Sequence, residues 1–141
     1  MKVSKRIQYG LEFLLNLGLR WPEYSTVLEI AERNNLPHKY LEAVASDLRK
    51  AGLVDVKRGA GGGYRLLISM KKIVLLDVFT ALDSDWNEPP VNQNSFRTEG
   101  EKAVSCFLTE SVHKIHETAS QITLESLVKT YHNNSELLYH I

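Results

Sequence analysis

The run Lys57-Arg58-Gly59-Ala60-Gly61-Gly62-Gly63-Tyr64-Arg65 sets cations on both sides of a tip that holds four glycines in five residues. Glycine adopts positive φ without penalty and lets a backbone approach another surface closely, and successive backbone N–H groups make a concavity for anions. Lys57, Arg58 and Arg65 at the base, with Gly61 and Gly62 at the tip, therefore form a loop suited to phosphate. A nucleotide cradle does not fit the same glycines. The dinucleotide fingerprint needs glycine at position 64, where Tyr64 stands, and the Gly-Lys-Ser or Gly-Lys-Thr of a phosphate loop is missing.

A second set, Cys106, Glu110, His113 and Glu117, shares one face of a helix and combines thiol, imidazole and carboxylates. Two readings stand: a metal or unusual cluster site shared with a second copy, or a solvated polar face. Cys106 is the one cysteine, which excludes an intrachain disulfide and a multi-cysteine zinc site within one chain. His116, His132 and His140 lack a ligand set, so no resident metal or cofactor is predicted. Serines, histidines and carboxylates are scattered rather than convergent, and the sequence does not read as an enzyme.

The chain that must position these groups has 141 residues and 43% apolar content, enough for one domain, or a small head with a helical extension, around a packed core. Its 17 cations balance its 17 anions, but residues 1 to 72 hold 13 Lys and Arg against 7 Asp and Glu, and residues 73 to 141 hold 4 against 10. A basic half joined to an acidic half fits a nucleic-acid-binding head with a partner-facing tail, and also fits ordinary variation of a charged surface. No apolar run approaches the roughly 18 to 20 residues that span a bilayer, and Met1 to Arg6 lacks the apolar stretch of a signal peptide. The expectation is a cytoplasmic protein without a membrane partner.

Ile7, Leu11, Leu14, Leu15 and Leu17 follow helical spacing from Ser4 to Leu19, and Trp21-Pro22 closes the segment. Thr26 with Glu29 three residues on reads as a capping box opening a helix from Val27 to Asn34. Asn34-Asn35-Leu36-Pro37 is a turn, and Tyr40, Leu41, Val44 and Leu48 predict a third helix from His38 to Ala51, ended by Gly52. Leu53 to Val56 and Tyr64 to Ile68 bracket the glycine loop as a β-hairpin. Three helices and a hairpin in this order predict a mostly α fold with a small β-hairpin, a winged helix-turn-helix whose third helix enters the major groove while the wing reaches the backbone or the adjacent minor groove. Near the start of that helix His38, Lys39, Glu42 and Ala43 are free of core duty and face base edges. Glu42 is able to accept from cytosine N4 or to be a plain surface carboxylate, Lys39, Arg49 and Lys50 are equally readable as solvated charges, and Tyr9 and Tyr40 as packed aromatics.

Tyr40-Leu41-Glu42, Leu48-Arg49-Lys50-Ala51-Gly52-Leu53-Val54 and Arg58-Gly59-Ala60-Gly61-Gly62-Gly63-Tyr64-Arg65-Leu66 together resemble the Rrf-two family of bacterial winged-helix regulators, which includes iron-sulfur, nitric-oxide-sensing and cysteine-metabolism repressors. Ile73 to Leu82 resembles the family's helix after the wing, and Ile122 to Leu127 its closing helix. The resemblance implies a transcription repressor, a homodimer on a dyad-symmetric duplex operator, with Lys39, Glu42 and Arg58 at the DNA and support from Lys5, Tyr9 and Tyr40. Ala43 stands where several relatives carry a polar residue, which implies a different base preference. It further implies that the helix from about Glu99 to Gln121 crosses its symmetry mate, and Val104, Leu108, Val112, Ile115, Ala119 and Ile122 do form one apolar stripe, which a helix packed inside its own subunit would also show. The expected organisation is a DNA-binding domain over residues 1–83, a linker over 84–98, and dimerisation helix, closing helix and tail over 99–141.

The family's best-known sensor is an iron-sulfur cluster on three clustered cysteines, and those cysteines are missing. The tail Tyr139-His140-Ile141 resembles that of the cysteine-metabolism repressor, whose terminal isoleucine is of the kind that docks in cysteine synthase; a tail packed on its neighbour is the other reading. Because a winged helix does not itself guarantee DNA binding, a protein-interaction adaptor stays open as the alternative function.

Overall fold

The computed structural model describes residues 3–87 and 95–139. Helix α1 (Lys5–Leu19) starts where the Ser4 hydroxyl accepts from the Ile7 N–H at 3.3 Å, and its apolar face buries Ile7, Phe13, Leu14 and Leu17. Helix α2 (Val27–Asn34) opens on the expected capping box, with the Glu29 N–H donating to Thr26 Oγ1 and the Thr26 N–H donating to Glu29 Oε2, both at 3.1 Å. It ends at Asn35 in the left-handed region (φ 53°), a conformation that asparagine tolerates better than most residues. The buried Asn16 amide donates to the Glu12 carbonyl and accepts from Asn34 Nδ2, tying the end of α2 to α1.

Helix α3 (His38–Lys50) buries Leu41, Val44, Ala45 and Leu48 against α1 and α2. Arg6 joins the layers, donating through Nε to the Leu82 carbonyl at 3.1 Å and pairing with Asp47 of α3. Strands β1 (Val54–Lys57) and β2 (Gly63–Leu66) pair antiparallel with Val54 opposite Leu66, Asp55 opposite Arg65, Val56 opposite Tyr64 and Lys57 opposite Gly63. Ser25 adds a short third rung, exchanging backbone hydrogen bonds of 2.9 and 2.8 Å with Tyr64. The hairpin is thus shifted from the expected strands: its second strand stops at Leu66, where Val54 and Leu66 close the core.

Helix α4 (Leu75–Leu82) begins two residues later than the predicted start at Ile73. Ile73 and Val74 are taken instead by pairing with the start of the closing helix: the Leu124 N–H donates to the Ile73 carbonyl and the Leu75 N–H to the Ile122 carbonyl, both at 2.8 Å. A 3-10 turn (Ser84–Asn87) follows, in which Trp86 stacks on Phe79 at 4.6 Å and on His116 at 5.3 Å. That stack fastens helix α5 (Glu99–Ala119) to the head, and helix α6 (Leu124–Tyr139) returns along α1. α5 stops short of the expected Gln121, whose N–H instead closes the turn by donating to the Thr118 carbonyl at 3.1 Å. One core unites α1 to α4, the hairpin, Ala119 and Leu124.

Candidate nucleic-acid interface

Helix α3 turns its apolar side inward and so leaves His38, Lys39, Glu42, Ala43, Arg49 and Lys50 exposed. Lys39, Arg49 and Lys50 make no ion pair among the described residues. His38 and Glu42 are engaged with each other, Nε2 lying 3.3 Å from Oε1 one helical turn away. The carboxylate expected to read a base thus has an exposed partner one turn away on its own helix. Tyr9 and Tyr40 meet edge to face at 5.3 Å, and Lys5 Nζ lies 5.9 Å from the Tyr9 ring. Both rings are packing groups that carry Lys5 to the first turn of α3.

At the wing, strand alternation puts Val54, Val56, Tyr64 and Leu66 on the core side, where Tyr64 meets Phe13 at 5.7 Å, and puts Asp55, Lys57 and Arg65 on the outer side. The tip is a tight turn in which the Gly62 N–H donates to the Gly59 carbonyl at 3.0 Å, and Gly61, at φ 71°, supplies the positive φ that the third residue of such a turn requires. Gly62 has a structural duty: a Cβ there would collide with the Lys57 carbonyl. Gly61 is the exposed glycine of the pair.

The cations of the wing are not equivalent. Arg58 is exposed and makes no ion pair among the described residues. Arg65 is half-buried, its guanidinium 4.6 Å from the Tyr24 ring, 5.6 Å from the Trp21 ring and 3.8 Å from Asp55 Oδ2. Tyr24 donates its hydroxyl to Asp55 Oδ2 at 3.0 Å, and Lys57 Nζ lies over the same ring at 5.7 Å. Desolvation and the hydrogen bond to Asp55 both hold the Tyr24 phenol above its ordinary pKa. Arg65 thus braces the base of the wing, while Arg58 and Lys57 project from it. Trp21, Tyr24 and Asp55, unmarked by their sequence context, complete this brace; the sequence signal for one of them is the cross-strand opposition of Asp55 and Arg65.

On α5, Val104 and Leu108 are 59% and 51% exposed, Ile115 is also exposed and Val112 half-buried, so the described residues of the subunit leave most of the expected stripe uncovered. Two positions depart from expectation. Ala119 is 3% exposed and belongs to the core, because the last turn of α5 packs on α4; Phe107, three residues beyond Val104 and therefore on the same helical flank, is 69% exposed and extends the stripe. Cys106, Glu110, His113 and Glu117 are exposed along the other side, and among the described residues no three His, Cys, Asp or Glu groups converge within one subunit. Tyr139 ends α6, and His140 and Ile141 lie outside the described residues. Among the described residues no helix is long and apolar enough to cross a membrane.

A family model described as Rrf2, iron-dependent transcriptional regulator, matches residues 3–130. The HTH-type transcriptional regulator CymR of Bacillus subtilis is 34% identical over 128 residues, covering 90% of this chain and 89% of that protein. The HTH-type transcriptional regulator IscR of Photorhabdus laumondii is 31% identical over 140 residues, covering 98% of this chain and 83% of that one. The structure of B. subtilis CymR, described as the global cysteine regulator of that organism, superposes with a TM-score of 0.76 at 29% identity over 92% of this chain and 98% of the other.

The iron in the family's description does not find its donors here. Thiolates are what hold iron-sulfur clusters, and this chain brings a single exposed Cys106 with no converging partners among the described residues of the subunit. The donor set does not fit a conventional cluster. Helix-turn-helix, wing and closing helix agree with these relatives over almost the whole chain, which therefore belongs to the Rrf2 family of winged-helix, DNA-binding transcription regulators.

Proposed function

We propose that the chain works as a cytoplasmic homodimeric repressor that binds a dyad-symmetric operator without a conventional iron-sulfur cluster and governs genes of cysteine and sulfur metabolism. The observation that carries the reading is the pairing of an exposed basic face, Lys39 on α3 with Lys57 and Arg58 on the wing, with an exposed apolar stripe on α5. Two copies joined along α5 present two α3 helices, whose His38, Lys39, Glu42 and Ala43 meet base edges in successive major grooves while Arg58 and Lys57 neutralise phosphates. A pair of recognition helices related by a two-fold axis demands an operator with the same symmetry.

Sulfur metabolism is supported by the likeness to CymR, described as the global cysteine regulator of B. subtilis. The segment Tyr139-His140-Ile141, which resembles the tail of the cysteine-metabolism repressor, is read as a docking peptide for cysteine synthase. Undiminished binding of the synthase by a protein lacking Ile141 would refute the docking.

The decisive experiment selects bound sequences from random duplex DNA using protein purified without oxygen, with an absorption spectrum of the same sample. A symmetric consensus from a colourless protein is the expected result. No enrichment would instead favour an adaptor that does not bind DNA, and visible iron-sulfur absorbance would overturn the cluster-free reading.

A further inference from the structure

A cleft of about 450 Å³ opens on the side of the head formed by α1, the end of α2 and α6, within the range of small-ligand pockets. Its walls carry two guanidinium groups, Arg20 and Arg33, and, among the described residues, no carboxylate. Among the described residues neither arginine makes an ion pair or a side-chain hydrogen bond, and both are exposed. Leu15 and Leu19 supply an apolar wall, and Tyr131 of α6 adds to the lining. The floor is the buried Asn16 with the half-buried Asn34, fixed by the 3.1 Å hydrogen bond between their side chains and by a 2.8 Å bond from Asn34 Nδ2 to the Ile30 carbonyl.

From this geometry we infer that the cleft is an effector site for a small organic anion bearing more than one anionic group. Two unpaired guanidiniums in one cleft supply the forked donors that match carboxylate or phosphate oxygens, and the leucine wall takes an apolar backbone. Arg20 and Arg33 also sit at the C-terminal ends of α1 and α2, where a cation is favoured by the helix dipole. Dipole compensation alone, however, needs neither a cleft between them nor the polar floor. The position gives the site leverage. Asn34 is the last residue of α2, directly before the turn that leads through Pro37 to α3, so an anion held by Arg33 and Arg20 braces that turn against α1 and α6. Only this consequence for DNA affinity rests on the regulator reading; binding of the anion itself is measured without DNA.

The test is isothermal titration of the full chain, without DNA and at matched ionic strength, with citrate, 3-phosphoglycerate and inorganic phosphate. One equivalent of citrate or 3-phosphoglycerate per subunit is expected, weakened about tenfold or more in Arg20→Ala and in Arg33→Ala and unchanged in Lys71→Ala, an exposed lysine outside the cleft. Circular dichroism melts of the two variants, with Arg33→Gln as a second replacement, confirm that the loss is local. Absence of binding by all three probes, binding that survives both arginine variants, or equal loss in Lys71→Ala overturns the site.

Discussion

Helices α3 and α5 are both amphipathic, yet their apolar faces end in different places. On α3 Leu41, Val44, Ala45 and Leu48 are buried and the polar face looks outward. On α5 the buried positions are Ser105 and Ala119, while Val104, Phe107, Leu108 and Ile115 lie exposed. The reading device is therefore complete within one chain, whereas the helix that would set the distance between two such devices is not. Fully burying side chains of this size stabilises by about 1.5–3 kcal/mol each, against an association cost of about 4–15 kcal/mol, so a contact that holds a dimer has to cover the stripes of both copies. Damage to the two helices should accordingly fail in different ways.

The largest effect is expected from Leu108→Glu, which puts a carboxylate in the middle of the α5 stripe. Light scattering should show the mass of one subunit, with the melting of the head largely retained, because the substitution touches no residue of the core. Operator affinity should fall about 100-fold or more, since two half-sites no longer bind as one unit. A dimer with unchanged affinity would remove α5 from the interface. A smaller effect is expected from Arg58→Ala on the other side of the comparison: the protein stays dimeric, binds about tenfold more weakly at low salt, and loses about one unit of salt dependence per subunit, uniformly across sequences. A loss confined to particular base pairs would make Arg58 a base-reading residue instead.

The same contrast explains what the sequence disclosed. The elements of the head carry local signals: Thr26 and Glu29 form the predicted capping box, Gly52 adopts φ 78° just past α3, and alternating residues build the hairpin around its glycines. Features that depend on distant partners carry no such signal. Ile73 and Val74 stand in the segment that resembles the family's helix after the wing but are captured by Ile122 to Leu124, so α4 starts late. Ala119 obeys the period of the stripe, and only the packing of α5 on α4 decides that it faces its own core. Arg65 stands in the run expected to contact phosphate, and only the strand register, with Trp21 and Tyr24 arriving from the α1 to α2 connection, turns it into a brace. Arg20 and Arg33 are ordinary helix-end cations until α1, α2 and α6 enclose a cleft between them.

That distinction between a bracing and a contacting cation yields the smallest and most specific effect. Tyr24→Phe removes the hydroxyl that donates to Asp55 while keeping the ring beneath Arg65. DNA affinity should change less than about threefold, against the tenfold loss for Arg58→Ala, and the melting temperature near neutral pH should drop by about 3 °C for the lost hydrogen bond. The pH dependence fixes the cause. Desolvation and the bond to Asp55 raise the folded-state pKa of Tyr24 above its ordinary value of 10.0, so the folded protein favours the protonated phenol. That stabilisation is present in full below about pH 10, where unfolded tyrosine keeps its proton, and is lost as pH rises from there through the folded-state value. The gap in melting temperature between the native protein and Tyr24→Phe should therefore stay constant from about pH 7 to 9 and close above about pH 10. A gap that widens with pH would mean that the ionised phenolate, drawn to Arg65 and Lys57, is the stabilised form, and the wing base would then be held by attraction to those cations rather than by the hydrogen bond to Asp55.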